Sequence, residues 1–156
     1  MAPWSAKSKN VGLLDTAQRS TKNRILTSVN EAVSEVQYQY RNSEEAIPSN
    51  DITARLCTAI EAVFIHGLKE TFLGRLSSRF GEGGSGTPRM PEPSFWTFSL
   101  VFSHKEVISQ IESFAQINTD VGRSRTRLRA ALNAGLLVSY LTTMLADNAS
   151  IAVHYE

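Results

Sequence analysis

Through much of this chain, apolar residues recur at intervals of three and four, the spacing that places them on one face of an α-helix. The first regular stretch starts at Thr21 and predicts a helix to about Tyr40. Residues 1–20 are polar and weakly periodic, so they predict a flexible N-terminal tail. The polar loop 41–50 contains a proline and ends in capping candidates for the next helix, namely Ser49, Asn50 and the adjoining Asp51.

A second helix is predicted from residue 51 to about Lys69, and its apolar band is wide enough to pack on more than one side. This width identifies it as the central helix of the fold. Cys57 lies on the same band and is expected to be a core residue. The residues expected to be buried are Leu56, Ile60, Val63 and Phe64.

Residues 70–80 are compatible with a short helix, whereas residues 81–93 are rich in glycine and proline and predict a long exposed loop. The glycines are not followed by Gly-Lys-Ser/Thr and are not preceded by a strand pattern, which argues against a phosphate-binding loop. The next segment, residues 95–102, is densely aromatic and looks like core. The sequence Ser103-His-Lys-Glu106 then matches a capping box, and two helices or one kinked helix fit this region equally well.

Four arginines lie within seven residues near the start of the following helix, which residues 118–133 predict. Thr119 or Asp120 can cap this helix, and Gly135 can end it. The N-terminal turn of a helix carries partial positive charge, which disfavours nearby cations by up to ~1 kcal/mol each. Helix formation therefore does not explain the arginines, and a binding role does.

The helical periodicity also predicts where these arginines point. One face carries the apolar residues Val121, Leu128, Ala131 and Leu132. Arg123 and Arg127 are expected to point roughly away from that face, toward solvent, while Arg125 and Arg129 flank it. Arg123 is then available to an external anion or carbonyl, whereas Arg125 fits either a partner contact or an internal ion pair equally well.

A last helix, residues 136–145, has apolar residues on more than one side, and no stretch alternates like a strand. We therefore predict an all-α fold, an irregular bundle of about six helices. With 156 residues and 42% hydrophobic content the chain suits one domain. Its single cysteine and polar N-terminus indicate a reducing, cytoplasmic location, and no apolar run approaches the ~18 residues that span a membrane.

Composition and motifs argue against an enzyme. There is no Gly-x-Ser-x-Gly elbow, no His-Glu-x-x-His motif and no Cys/His couple, so no catalytic residue is assigned. No histidine, cysteine or carboxylate cluster has metal-ligand spacing, so no metal site or cofactor is expected. The net charge of +1 excludes a polybasic coat and leaves only local clustering to attract anions.

Four blocks in this order resemble one known family: residues 56–69, LCTAIEAVFIHGLK; the Phe95-Trp96 pair after a variable loop; residues 118–133, NTDVGRSRTRLRAALN; and a leucine-rich segment ending in His154-Tyr155. Together they resemble the RUN domain over roughly residues 21–156. The likeness is greatest to the pleckstrin-homology-domain-containing M family of endolysosomal adaptors, followed by the sorting-nexin RUN proteins.

The resemblance implies a helical, non-enzymatic adaptor or effector module that binds small GTPases of the Arf-like and Rab families in their GTP form. Such a module is recruited to late endosomes and lysosomes, in vesicle transport or autophagy, and associates with membranes only indirectly. The positions that match the family's GTPase-binding set are His66, Arg123 and Arg125. Lys69 and Arg127 are candidates at the periphery of that surface.

Two departures from the family pattern affect these expectations. Arg127 stands where the motif usually has tryptophan, which removes a large packing group and adds a charge. RUN domains also normally continue beyond the position of Glu156, so the chain resembles a C-terminally incomplete domain with an uncovered apolar patch on its last helix. The alternatives are a basic helix that binds nucleic acid or anionic membrane, and a truncated isoform without independent activity. A GTPase-binding module of this kind is not expected to bind nucleic acid.

Overall fold

The computed structural model describes the backbone of residues 5–69 and 93–156, and the side chains of residues 15–69 and 93–156. Every regular element in these ranges is a helix, so the all-α prediction is confirmed. The predictions for residues 70–80 and for nearly all of the loop 81–93 lie outside the described residues. The helices are α1 (Ser5–Tyr40), α2 (Asp51–Ile65), α3 (Trp96–Val101), α4 (Lys105–Glu112), α5 (Asp120–Asn133), α6 (Leu137–Ala146) and α7 (Asn148–His154).

The chain divides into two compact units, Met1–Val63 and Phe64–Glu156. In the first unit, α1 begins at Ser5 rather than near Thr21, so the prediction that residues 5–20 precede the first helix is wrong. Half of residues 5–20 are alanine, leucine, lysine, glutamine or arginine, which favour helix without needing an apolar stripe. Asp15 and Arg19 form an exposed ion pair one turn apart at 3.4 Å, which adds a small further stabilisation.

The start of α2 agrees with its sequence signals, whereas its end does not. The Asn50 side-chain oxygen accepts hydrogen bonds from the amides of Ile52 and Thr53, both at 3.1 Å, so Asn50 is the cap. The helix stops at Ile65 instead of continuing to Lys69. Gly67 adopts a φ of 77°, a left-handed conformation that ends a helix readily when no Cβ is present.

Burial along α2 confirms only part of the predicted core. Phe64, the first residue of the second unit, is buried as expected. Leu56, Ile60 and Cys57 are half-buried, and Val63 is 46% exposed, so the prediction of a fully buried band is wrong. An apolar side chain can remain at the surface because a folded protein has too little polar area to cover itself.

The core of the second unit is built largely from α3 and α5. The Phe95 ring stacks on Phe64 with a centroid distance of 4.7 Å. Phe98 makes edge-to-face contacts with Phe102 on its own segment and with His154 and Tyr155 from the C-terminal end. The predicted core role of the aromatic segment is therefore confirmed for its buried members, Phe95, Trp96 and Phe98.

The segment between α3 and α4 separates two helices rather than kinking one. The capping box predicted at Ser103 is wrong, because His104 is the cap residue of α4 and its Nδ1 accepts the Glu106 amide at 3.4 Å. The Ser103 hydroxyl instead accepts a hydrogen bond from Arg127 Nε at 2.7 Å, so Ser103 makes a tertiary contact rather than a capping contact.

Both ends of α5 follow the sequence signals. The Thr119 hydroxyl accepts the Gly122 amide at 3.1 Å, which confirms Thr119 as the cap. At the other end Gly135 has a φ of 68°, its amide bonds to the Leu132 carbonyl at 3.0 Å, and the next amide, of Leu136, reaches Ala131 at 2.9 Å. These two bonds form a Schellman motif that ends the helix.

Among the described residues, α6 exposes part of its apolar surface, as predicted. On α6, Val138 is 76% exposed and Leu145 is 70% exposed, whereas Met144 is buried. Asp147 then caps α7 by accepting the Ser150 amide at 3.0 Å. No single helix in the described ranges has the length and apolarity of a membrane span; α5 and α6 meet that criterion only as a pair, bent by 115°.

Candidate functional site

The first turn of α5 holds Arg123 in an ion pair. Its Nη1 donates to Asp120 Oδ1 at 2.8 Å, and the two side chains are 27% and 34% exposed. The Nε of Arg123 is buried, and no hydrogen-bond partner for it lies among the described residues. The prediction that Arg123 simply points to solvent is therefore corrected: Asp120 orients the guanidinium and leaves part of it accessible.

Gly122, which precedes this arginine, has a steric reason to be glycine. A Cβ at this position would lie 3.1 Å from the Ile117 side chain and 3.1 Å from the Thr119 hydroxyl. A larger residue would therefore press on the capping hydroxyl. The cap that starts the helix and the placement of Arg123 thus depend on the same small residue.

Ser124 ties this turn to the segment that enters α3. It is 1% exposed, and its hydroxyl donates to the Asp120 carbonyl at 2.9 Å and lies 3.1 Å from the hydroxyl of Ser94. The Ser94 hydroxyl in turn accepts the Trp96 amide at 3.2 Å. A buried, satisfied polar contact of this kind fixes the rotation of α5 about its own axis.

Arg125 and Arg129 lie on the exposed side of α5. They are separated by one helical turn, so they share a surface. For Arg125 this exposure leaves the predicted partner contact sterically accessible. Arg129 is not part of the proposed binding set, so a substitution at Arg129 can serve as a control on the same helix.

Arg127 is buried, and the prediction that it faces solvent is wrong. It is 6% exposed, its Nε donates to Ser103 Oγ at 2.7 Å, and its guanidinium lies 4.0 Å from the centroid of Tyr140. The buried arc of α5 is centred near Ser124 rather than near Val121, which rotates Arg127 toward the core at about 100° per residue. Arg127 therefore belongs to the core and not to the periphery of the site.

His66 lies in the turn that follows α2 and is half-buried. Among the described residues it has no hydrogen-bond partner. The structure therefore gives no support to the alternative in which this histidine is held by a backbone carbonyl. It lies between Ile65, the last residue of α2, and the left-handed Gly67.

Lys69 is engaged within the domain. Its amide donates to the His154 carbonyl at 2.9 Å, and its Nζ reaches the carbonyls of Ala152 at 2.5 Å and Val153 at 3.4 Å. A lysine is well placed there, because the last carbonyls of a helix carry partial negative charge. We therefore remove Lys69 from the candidate surface.

The turn of His66 and the first turn of α5 are anchored on two consecutive residues, one for each segment. Phe95 stacks on Phe64, two positions before His66, and Ser94 contacts Ser124, the neighbour of Arg123. No hydrogen bond or ion pair among the described residues joins His66 directly to Arg123. The dipeptide Ser94–Phe95 therefore connects the two segments that carry these candidate residues.

Comparison with known proteins decides the family. A sequence model described as the RUN domain matches residues 55–156. The chain belongs to the RUN-domain family. The match begins inside α2, later than the boundary at residue 21 that the sequence suggested, and it contains every residue of the candidate site. RUN-domain membership supports a general role as an adaptor or effector module related to small GTPases rather than as a catalyst.

Two curated relatives carry the name pleckstrin homology domain-containing family M member 2. The human protein is 28% identical over 124 residues, which is 77% of this chain and 10% of the relative. The mouse protein is 28% identical over 127 residues, which is 79% of this chain and 10% of the relative. This chain therefore spans about a tenth of the length of the relatives it matches.

Sequence reasoning missed several residues that shape the site. Ser94, Ser103 and Ser124 form the polar contacts that orient α5, yet isolated serines carry no distinctive spacing. Tyr155 was noted only as part of the C-terminal His-Tyr pair, although it contacts the end of α2. The signal for Ser124 was available in the periodicity, since it lies three positions from Val121 and four from Leu128 on the buried arc.

Proposed function

We propose that this RUN domain docks a small GTPase of the Arf-like or Rab family in its GTP-bound form. The docking surface comprises His66, Arg123 and Arg125. The observation that carries the proposal is the first two turns of α5, where one arginine is oriented by Asp120 and a second is exposed. These cations lie near the positive end of the helix dipole, so helix formation alone does not favour them, and we attribute them to contact with a partner.

The chemistry of arginine suits this task. A guanidinium has five N–H donors in a planar fork that matches carboxylates and backbone carbonyls. In Arg123, Nη1 is committed to Asp120, and the group is thereby held in one orientation before any partner arrives. Orientation in advance lowers the entropy that binding must overcome. Arg125 adds a second fork on the exposed side of the helix.

The competing proposal, a surface for nucleic acid or anionic lipid, is weaker. Of the four arginines on α5, Arg127 is buried and Arg123 is paired with a carboxylate, so the local positive charge is smaller than the sequence suggests. Binding to single-stranded RNA also uses exposed aromatic rings beside the cations. The neighbouring Phe95, Trp96 and Phe98 are buried instead.

In the cell, the proposed role is that of an adaptor that follows its GTPase to late endosomes or lysosomes. Recruitment would be indirect, through the membrane-bound GTPase. This part of the proposal rests on the likeness to the pleckstrin-homology-domain-containing M family. This chain covers a tenth of the length of the matched relatives. The proposed adaptor role belongs to vesicle transport or autophagy.

The proposal is tested by pull-down of GTP-locked and GDP-locked Arf-like and Rab GTPases with the folded wild-type chain and with Arg123→Ala and Arg125→Ala. Loss of one partner of a buried interfacial charge pair costs roughly 2 to 5 kcal/mol, so each variant should bind at least tenfold more weakly if its arginine is central. Arg129→Ala is the matched control, because it removes the same charge from the same helix.

Each outcome discriminates between the two proposals. Recovery of the GTP form alone, lost in Arg125→Ala and kept in Arg129→Ala, supports docking through the proposed surface. Equal recovery of both nucleotide states by the folded wild type contradicts it. Equal weakening by all the arginine variants, with strong dependence on salt, indicates general attraction to anions instead.

A further inference from the structure

The C-terminal residues of the chain contact the turn that carries His66. Tyr155 and Leu68 form an isolated antiparallel bridge. The Lys69 amide donates to the His154 carbonyl at 2.9 Å, and the Glu156 amide donates to the Gly67 carbonyl at 2.8 Å. We call these contacts, between residues 67–69 and 154–156, the C-terminal clasp. They connect segments that are more than eighty residues apart in sequence.

The two segments of the clasp each cap a helix: the C-terminal segment caps α2, and the segment after α2 caps α7. The Tyr155 hydroxyl donates to the Phe64 carbonyl at 2.6 Å, which is in the last turn of α2. In return, Lys69 Nζ bonds to the carbonyls of Ala152 and Val153, which are in the last turn of α7. The final carbonyls of a helix have no partner within the helix, so these side chains satisfy groups that would otherwise need water.

The Tyr155 ring has a buried position of its own. It packs edge-on against Phe98 with a centroid distance of 4.9 Å. Burial raises the pKa of the Tyr155 hydroxyl well above its ordinary value, so the group stays protonated and remains a donor to Phe64. The ring thus anchors in the core while the hydroxyl holds the end of α2.

His66 lies between the capped carbonyl of Phe64 and the paired residues of the clasp. The left-handed Gly67 next to it has few local restraints of its own, because glycine tolerates many backbone conformations. The turn has one local hydrogen bond, from the Leu68 amide to the Ile65 carbonyl at 3.1 Å, and its other restraints come from the C-terminal end. We propose that Tyr155 is a positioning residue for GTPase docking, because its hydroxyl fixes the turn that presents His66. This inference rests on the proposed function.

The first test measures the clasp without any GTPase. Tyr155→Phe removes the donor to Phe64 and keeps the ring against Phe98. We expect amide hydrogen exchange to accelerate at Lys69 and Glu156, whose amides form the clasp, while the amide of Leu136 at the end of α5 is unchanged. Unchanged exchange at Lys69 and Glu156 would show that the hydroxyl does not hold the turn and would overturn the inference.

The second test measures affinity for the GTP-loaded GTPase in a double-mutant cycle of Tyr155→Phe and His66→Ala. Loss of one neutral hydrogen bond predicts roughly three- to tenfold weaker binding for Tyr155→Phe. If Tyr155 acts through His66, this loss disappears when His66 is already alanine. Tyr38→Phe is the matched control, since this tyrosine is 73% exposed and lies in the other unit.

The outcomes separate the two claims. Additive losses in the cycle would mean that Tyr155 affects binding by another route, and they would overturn the positioning role. If the wild type binds no GTP-loaded GTPase, the proposed function fails, and the exchange experiment still decides whether Tyr155 holds the turn. Where Tyr155→Phe is too unstable to purify, Lys69→Met loosens the clasp from its other side and must give the same pattern.

Discussion

The guanidinium of Arg127 lies 4.0 Å from the ring centroid of Tyr140, in the core between α5 and α6. A guanidinium is flat and weakly hydrated, so it can pack on an aromatic face much as another ring would. Its Nε is satisfied by the Ser103 hydroxyl. At the position where the family motif usually has tryptophan, this chain thus has a buried arginine whose charge lies against a ring.

The first prediction concerns this pair. Arg127→Met and Tyr140→Leu each remove the cation–π contact while retaining apolar volume. A double-mutant cycle should show a coupling free energy of about 1 to 2 kcal/mol, because the contact is shielded from water. Urea unfolding of the two single variants and the double variant measures it.

Arg129→Met is the control for the loss of charge on α5, and it should change the free energy of unfolding by less than about 0.5 kcal/mol because Arg129 is exposed. Strictly additive effects of Arg127→Met and Tyr140→Leu would mean that the two side chains merely lie close together.

The second prediction concerns the stacked pair Phe64 and Phe95. Phe64→Ala removes a buried ring that anchors the end of α2, and it should lower the free energy of unfolding by roughly 3 to 5 kcal/mol. Val63→Ala is the neighbouring control and should have a much smaller effect, since Val63 is 46% exposed. Equal losses for both variants in denaturant unfolding would contradict the assigned core.

The parts of the fold that depend on local chemistry could be predicted from the sequence. Thr119 and Asn50 cap helices because their side chains reach amides two or three residues away, and Gly135 ends α5 because its left-handed φ suits glycine. The aromatic core of α3 was also predictable, since a dense run of rings has few other stable locations.

The parts that depend on distant contacts could not. The direction of Arg127 is set by Ser124 bonding to Ser94, a pair that no periodicity identifies. Ser103 has the local pattern of a helix cap, but its hydroxyl instead accepts a hydrogen bond from Arg127, 24 positions later. The hydrogen bond from Tyr155 to Phe64 joins residues 91 positions apart and leaves no local pattern in either segment.

The third prediction concerns acid. The pKa of Asp147 is lowered, first by the hydrogen bond from the Ser150 amide and then by the Ser150 hydroxyl. A carboxyl whose pKa is lower in the folded state stabilises the fold above its unfolded pKa, and this contribution disappears as the pH falls through the folded value. Asp147→Ala should therefore lower the thermal midpoint near neutral pH, and its difference from the wild type should shrink as the pH falls below the ordinary range of a carboxyl group.

Asp147→Asn separates the capping hydrogen bond from the charge of the carboxylate. Asparagine can still accept the Ser150 amide, so it should retain much of the cap while losing the dependence on pH. If wild type and Asp147→Ala lose stability in parallel from pH 6 to pH 2, in thermal unfolding, the cap does not contribute to acid sensitivity.

The fourth prediction concerns the outer face of α6, where Val138 and Leu145 are largely exposed. Lysine at both positions should leave the free energy of unfolding nearly unchanged and should reduce concentration-dependent association in sedimentation velocity. Met144→Lys is the contrasting change, because Met144 is buried and a charge there should unfold the domain. Unfolding by the Val138 and Leu145 substitutions would show that this face is packed.

The central claim is that the domain recognises a GTPase in one nucleotide state. Its most direct test is the equilibrium dissociation constant of the folded wild-type chain for the same GTPase loaded with a non-hydrolysable GTP analogue and with GDP, measured by titration calorimetry. We expect binding that is at least tenfold tighter for the GTP analogue, a preference that Arg125→Ala reduces. Equal dissociation constants for the two nucleotide states would contradict it.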